Sequence, residues 1–297
     1  MAITWGGTQF PWGSWQTLVP LIAGSTGLVV AAIWEVRFAA HPFLRVALLK
    51  SRSRIAAYVC ALLQGLMMFC TLYYLPIYFE GVKGYSPSAT GLSLMPITGS
   101  LLPFGIIVGV VIRITGRFRW AVWSGWAISI LSSGLLILLG TGTQVGAWVM
   151  ILIVVGLGHG LVLISLNICT QALVHTSHVV HAVVMYTFAR TAGMCIGVSV
   201  GGALFQSTLG SQLEAKGLPS AWAHDTGSLL GHPIPPMIKD PIISSITQSC
   251  RSIAQLLLGV AVAGCLVSLL IKSSSVEKEF NPVYKLQKTG ERVEDKA

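Results

Sequence analysis

Long apolar runs, separated by short gaps that hold nearly all of the charge, most constrain what this 297-residue chain can become. A hydrocarbon layer of roughly 30 Å takes about 20 mostly apolar residues in helical form. Runs of that length lie at approximately 17–34, 55–79, 89–112, 120–139, 148–173, 183–208 and 252–271. None shows the period-2 alternation of an outer-membrane barrel strand, and all are too long for one. With only 10% of residues charged, 54% hydrophobic and a mean hydropathy of +0.75, a water-soluble domain is set aside. The expected fold class is all-α, a polytopic membrane protein with seven transmembrane helices.

The gaps also orient the chain. No Lys or Arg precedes the first run, whereas Arg37, Arg45, Lys50, Arg52 and Arg54 follow it, so that gap is expected in the cytoplasm and the N-terminus outside. Later gaps alternate. Glu80 and Lys83 occupy the second, Arg113, Arg117 and Arg119 the third, and no charge the fourth. The fifth carries His175, His178 and His181, and the lysine-rich tail after Lys272 is expected inside. The net charge of +9 follows from this rule. It is spread over loops of one membrane face, which points to anionic lipid and not to nucleic acid. Residues 1–15 have no basic n-region and no A-x-A site, so the first run is expected to insert as an uncleaved anchor.

Cysteine usage agrees. Cys60, Cys70, Cys169, Cys195 and Cys265 lie within apolar runs and Cys250 just outside the last, so no extracellular disulfide is expected. Residues 209–251, rich in Pro, Gly and Ser, read as an irregular outer loop with a short helix near 212–216. Residues 273–297 read as a polar, disordered cytoplasmic tail.

An enzyme has little support, because no G-x-S-x-G, H-E-x-x-H or P-loop is present and no span holds a carboxylate pair. The three histidines of the fifth gap have no accompanying Cys or acid, so a solvated loop is a better reading than a metal site. No metal or cofactor is expected. Arg190 is the one charge well inside a run. Its burial costs about 2.5 to 3.5 kcal/mol on insertion scales, so it faces protein or water, or else snorkels to the headgroups. Gln64, Met68, Thr71 and Tyr78 share one helical face, and Asn167 and Gln171 are one turn apart. Such residues either line a polar path or bond neighbouring helices. Glycines spaced by four at Gly105/Gly109, Gly156/Gly160 and Gly193/Gly197/Gly201 signal close helix packing.

Several strings resemble one family. Tyr73-Tyr74-Leu75-Pro76-Ile77-Tyr78-Phe79, then Val82-Lys83-Gly84-Tyr85-Ser86-Pro87 and Gly91-Leu92-Ser93-Leu94-Met95-Pro96, are similar to the ninth and tenth spans of fungal drug:proton antiporters. These form the fourteen-spanner branch of the major facilitator superfamily. Trp5-Gly6-Gly7 with Pro11-Trp12, and His41-Pro42-Phe43, resemble loops before its eighth and ninth spans. Gly156-Leu157-Gly158-His159-Gly160 through Gln171-Ala172 resembles its twelfth span, and Phe188-Ala189-Arg190-Thr191-Ala192-Gly193 its thirteenth. The family's G-x-L-x-D-R-x-G-R-type loop is matched at Gly109, Gly116 and Arg117, with Arg113 where the acid would stand.

The resemblance implies that residues 1–54 hold an outer segment, a linker helix and a basic cytoplasmic loop. It further implies that residues 55–272 form the C-terminal six-helix bundle, itself two inverted repeats. The family's first six spans, with its principal loop motif and proton-coupling acid, have no counterpart in these residues. The implied activity is proton-coupled efflux of small amphipathic compounds or toxins at the plasma membrane, with vacuole as the second address. Gln64, Asn167, Gln171 and Arg190 are the expected cavity residues, and Gly109, Gly116 and Arg117 the inner gate. Expected partners are membrane lipid, a small-molecule substrate, protons, and a second transporter half or a homodimer. Two alternatives stay open here: a seven-helix receptor, although the Asp-Arg-Tyr and Asn-Pro-x-x-Tyr motifs are missing, and a non-transporting fragment that regulates a complete carrier.

Overall fold

The computed structural model describes residues 13–37, 51–175, 178–223 and 236–272, and every regular element among them is helical. α1 spans Trp15–Arg37, α2 Arg52–Gly81, α3 Pro87–Ser93, α4 Met95–Thr115, α5 Arg119–Leu136, α6 Val145–Ala172, α7 Val179–Glu214 and α8 Pro236–Ser268. A 3-10 turn covers Ser220–Ala223. By length and composition α1, α2, the α3–α4 unit, α6, α7 and most of α8 can each cross a membrane. α5 is shorter, at 18 residues, and diluted by Ser124, Ser129, Ser132 and Ser133. Its hydroxyls are satisfied locally: Ser129 donates to the Gly125 carbonyl, and Ser132 and Ser133 to that of Ser129. A serine-rich helix therefore remains compatible with a dry interior, and α5 packs between α6 and α8.

The contacts set the direction of each helix. Leu62, Leu66 and Cys70 of α2 meet Gly193, Gly197 and Gly201 of α7 in the same order, so this pair is parallel. Ile97 and Leu101 of α4 meet Gly156 and Gly160 of α6, again parallel. α5 runs against α6, with Gly125 beside Val162 and Gly158 beside Ser129. α8 runs against both α2 and α5: Ser53 Oγ donates to the Leu270 carbonyl, and Trp123 Nε1 to that of Ser268. These directions are those of six consecutive, alternating spans. Much of the pairing pattern maps onto itself when α2, α4 and α5 are exchanged for α6, α7 and α8, although the α7–α8 and α6–α7 contacts have no comparably extensive counterparts at α4–α5 and α2–α4. The α2–α7 contact becomes α6–α4, α2–α8 becomes α6–α5, and α5–α8 is unchanged. The shared contacts and the alternating directions fit two inverted three-helix repeats whose peripheral helices pack differently.

α2 and α6 form the centre, with 61% and 56% of their apolar windows buried, against 22% for α7 and 6% for α1. α1 packs extensively against no other described helix. Its exposed Leu18, Ile22, Val29 and Ile33 suit lipid or protein outside the described residues.

Two segments differ from the sequence reading. The third run is broken at Leu94, where α3 ends and α4 begins with Pro96 in its first turn. A proline there has no N–H to give to the preceding turn and clashes with its carbonyl, so the chain restarts the helix. The expected irregular segment 209–251 is largely helical: α7 continues to Glu214 and α8 begins at Pro236. These polar extensions each keep an apolar stripe, with Leu209, Leu213, Ile242 and Ile246 all at 0% exposure. The expected tail, 273–297, and the outer segment 1–12 lie outside the described residues.

One end of the bundle gathers Arg52, Arg54, Arg113, Arg117, Arg119 and Lys272, with no carboxylate among the described bundle residues there. The other end is tied by lysines. Lys83 Nζ donates to the carbonyls of Thr141 and Thr143 at 2.8 and 2.6 Å. Lys216 Nζ donates to the Pro241 carbonyl and to Ser244 and Ser245 Oγ at 2.9, 2.6 and 2.9 Å. Desolvation lowers the Lys83 pKa from its ordinary value.

Candidate functional site

Arg190 lies about three turns into α7, and its half-buried side chain turns toward α2 rather than toward either end of the bundle. Nε donates to Oε1 of Gln64 at 3.1 Å, and Nη2 meets Sδ of Met68 at 3.3 Å. Gln64 is 1% exposed. Glycine makes this reach short. Gly65 lies on the Arg190 carbonyl and Gly193 on the Leu62 carbonyl, so a Cβ at either position overlaps the facing oxygen. The two backbones touch, and the guanidinium lies along their seam.

The seam leaves a positive charge uncompensated. A guanidinium has five N–H donors; one goes to a neutral amide and one to a thioether. No carboxylate among the described residues lies in the middle of a span. α6 adds His159, 4% exposed and within electrostatic range of Arg190. Tyr186, one turn before Arg190, donates its hydroxyl to the Leu163 carbonyl at 3.0 Å and ties α7 to α6. The polar centre is thus built from α2, α6 and α7. His159 had no signal in the sequence beyond being a lone imidazole in an apolar run, inside a glycine stretch that reads as packing.

Asn167 and Gln171 do not join this centre. Gln171 Nε2 donates to Asn167 Oδ1 at 2.7 Å, an i,i+4 pair on α6 toward the basic end. They share the helix face of Gly160 and Ile164, against which α4 packs. The α2 stripe is divided as well. Gln64 and Met68 meet Arg190, whereas Thr71 donates to the Met67 carbonyl and Tyr78 to that of Gly140 near the opposite end.

Of the expected gate residues, Gly109 faces Ile164 across the α4–α6 contact, where a Cβ would be 3.4 Å from Cγ2. Gly116 caps α4 in the left-handed conformation, φ 65°, donating its N–H to the Ile112 carbonyl. That geometry explains glycine at this turn. Arg117 is exposed just beyond it. Arg119 stacks over the Trp123 ring at 4.5 Å. Among the described residues no three His, Cys, Asp or Glu side chains converge as metal ligands, and all six cysteines are free.

Alternating spans that fit two inverted repeats, with a cation of α7 turned onto the central α2, define a multi-pass membrane protein of transporter type. Residues 3–198 match the family model described as Major Facilitator Superfamily, and the chain belongs to that superfamily. It is similar to the MFS transporter L2 of Phoma sp. (strain ATCC 20986 / MF5453), 35% identical over 89% of this chain and 46% of that protein. It is also similar to the MFS-type efflux pump LUC4 of Fusarium sp, 29% identical over 97% of this chain and 53% of the relative. The MFS efflux transporter aclA of Aspergillus oryzae is 31% identical over 89% of this chain and 49% of its own length. The chain thus spans about half the length of the curated relatives it matches. Its family is one of transporters, not enzymes, and the seven-helix receptor reading is set aside.

Proposed function

We propose that this chain is the C-terminal half of a proton-coupled efflux carrier for small amphipathic compounds. α2 and α4–α8 form the transport bundle within residues 55–272, and residues 1–54 supply a linker helix. The observation that carries this reading is the Arg190–Gln64 bond, which holds a cation of α7 against the central span α2, partway along the bundle where a carrier needs a polar surface. Efflux is the activity that the names of the relatives LUC4 and aclA carry. Arg190 and Gln64 line the cavity, Asn167 and Gln171 form a separate polar pair nearer the basic end that a substrate meets on its path, and Gly109, Gly116 and Arg117 belong to the inner gate. The basic end faces the cytoplasm by the positive-inside rule, with the N-terminus outside and plasma membrane as the address. Alternating access requires a second bundle, supplied by a partner half or by another copy of this chain.

The test is uptake of a fluorescent amphipathic dye into vesicles under an imposed pH gradient. The full chain is tested alone and co-expressed with the first seven spans of a fungal relative. Gradient-driven accumulation in the co-expressed sample, abolished when the gradient is dissipated, is the expected result. Accumulation indifferent to the gradient, or none in either sample, overturns the proposal.

A further inference from the structure

The α2 stripe leads to a second feature, remote from Arg190. Thr71, Tyr74 and Tyr78 wall a slot of about 40 Å³ that α5 and α8 close with Leu136, Leu139 and Leu257. At Arg251 the slot meets a bowl of about 620 Å³ between the α5–α6 loop and the first half of α8. Thr141, Thr143, Ser244, Thr247 and Gln248 line this bowl, and Arg251 lines both features. Its Nη2 lies beside Gly140, where a Cβ would be 3.9 Å away. The Arg251 guanidinium is exposed and makes no hydrogen bond or ion pair with any described residue. Lys83, bonded to the carbonyls of Thr141 and Thr143, adds a second positive charge to the same loop.

Below Arg251 the exposed face of α8 carries Gln255 one turn on and is apolar beyond it. Leu258, Val262, Leu266 and Leu269 follow Arg251 at helical spacing on one face, and Val262, Leu266 and Leu269 are 40%, 62% and 54% exposed. A charged bowl rich in hydroxyls, with an exposed apolar stripe farther along the same helix, matches a molecule with an anionic head and a hydrocarbon chain.

We propose that the Arg251 bowl binds a single-chain anionic amphiphile of the alkyl carboxylate class. The head sits between Arg251 and the bowl hydroxyls, and the chain lies along the exposed face of α8 past Gln255. A diffusible carboxylate is favoured over an anionic phospholipid because this end lies opposite the basic one. On the orientation proposed above, it faces away from the leaflet rich in anionic lipid. The site is separate from the Arg190 centre, so its occupancy does not depend on transport.

The experiment uses the purified full chain in phosphatidylcholine nanodiscs, with dodecanoate as the probe, read by native mass spectrometry and by the unfolding temperature. One dodecanoate is expected per chain, with a raised unfolding temperature, while dodecanol and butyrate give neither effect. Arg251→Gln is expected to weaken dodecanoate binding by about tenfold. Gly140→Leu, which fills the bowl beside Nη2, produces the same loss by a different route, and Arg113→Gln at the other end leaves binding intact. Equal binding by Arg251→Gln and Gly140→Leu, dodecanol binding as tightly as dodecanoate, or phosphatidylglycerol displacing dodecanoate from the site would each overturn the proposal.

Discussion

The α2–α7 and α4–α6 contacts are equivalent under the exchange of repeats, yet they carry different chemistry. Both are parallel, and both let backbones touch through glycine: Gly193 and Gly197 on α7 in one, Gly156 and Gly160 on α6 in the other. Beside Gly65 on α2 and Gly105 on α4, these glycines lie on the peripheral helix in the first pair and on the central helix in the second. At the glycine contacts of the α4–α6 seam the polar side chain is Ser100, whose hydroxyl reaches the carbonyls of Pro96, Ile97 and Ile153. The α2–α7 seam has Arg190, Gln64 and Met68. One packing device thus serves two seams, and the polar group is added to one of them. A residue needed only to join helices would be satisfied as Ser100 is. Arg190 is not.

The largest expected effect tests what the seams share. Gly193→Leu drives a side chain into the Leu62 carbonyl, and Gly156→Leu drives one into Ser100 and the Ile97 carbonyl. Each is expected to cost about 3 kcal/mol, seen as loss of a monodisperse peak and a large fall in unfolding temperature of the detergent-purified chain. A mild Gly156→Leu beside a severe Gly193→Leu would break the equivalence of the seams.

A smaller effect separates them. Gln64→Leu removes the acceptor for Arg190 Nε and is expected to cost about 2 kcal/mol. Ser100→Ala removes a donor whose carbonyl partners keep their helical bonds, and should cost about 1 kcal/mol or less in the same thermal assay. Equal costs would mean that the Gln64–Arg190 bond is ordinary helix packing. The smallest change in stability is expected for Arg190→Met, which keeps the stem and removes the charge. Removing a spanning charge recovers its burial cost, which offsets the Gln64 amide oxygen left without its donor, so the unfolding temperature should hold. A marked fall would assign Arg190 a structural role.

The helices were legible because membrane thickness imposes a length on them, and the apolar runs at 55–79 and 148–173 needed no further signal. Their ends were less so. Ser244, Ser245 and Ser249 look like loop residues, yet their hydroxyls donate to carbonyls within α8 and leave Ile242 and Ile246 to pack inward. Arg190 stood out as the lone spanning charge, and Gln64 as part of a polar face. Their bond joins residues 126 positions apart. Helical periodicity reports which face a residue occupies and not which helix that face meets, so Gln64 and Asn167 looked alike. Asn167 instead spends its side chain on Gln171, one turn away.

The central claim, that Arg190 serves transport and not assembly, is tested most directly by one measurement. Gradient-driven dye accumulation is compared for wild type and Arg190→Met in vesicles that hold the chain with its complementary bundle. Accumulation is predicted to fall at least about tenfold in the variant, with the unfolding temperature maintained. Undiminished accumulation with the same dependence on pH would contradict it.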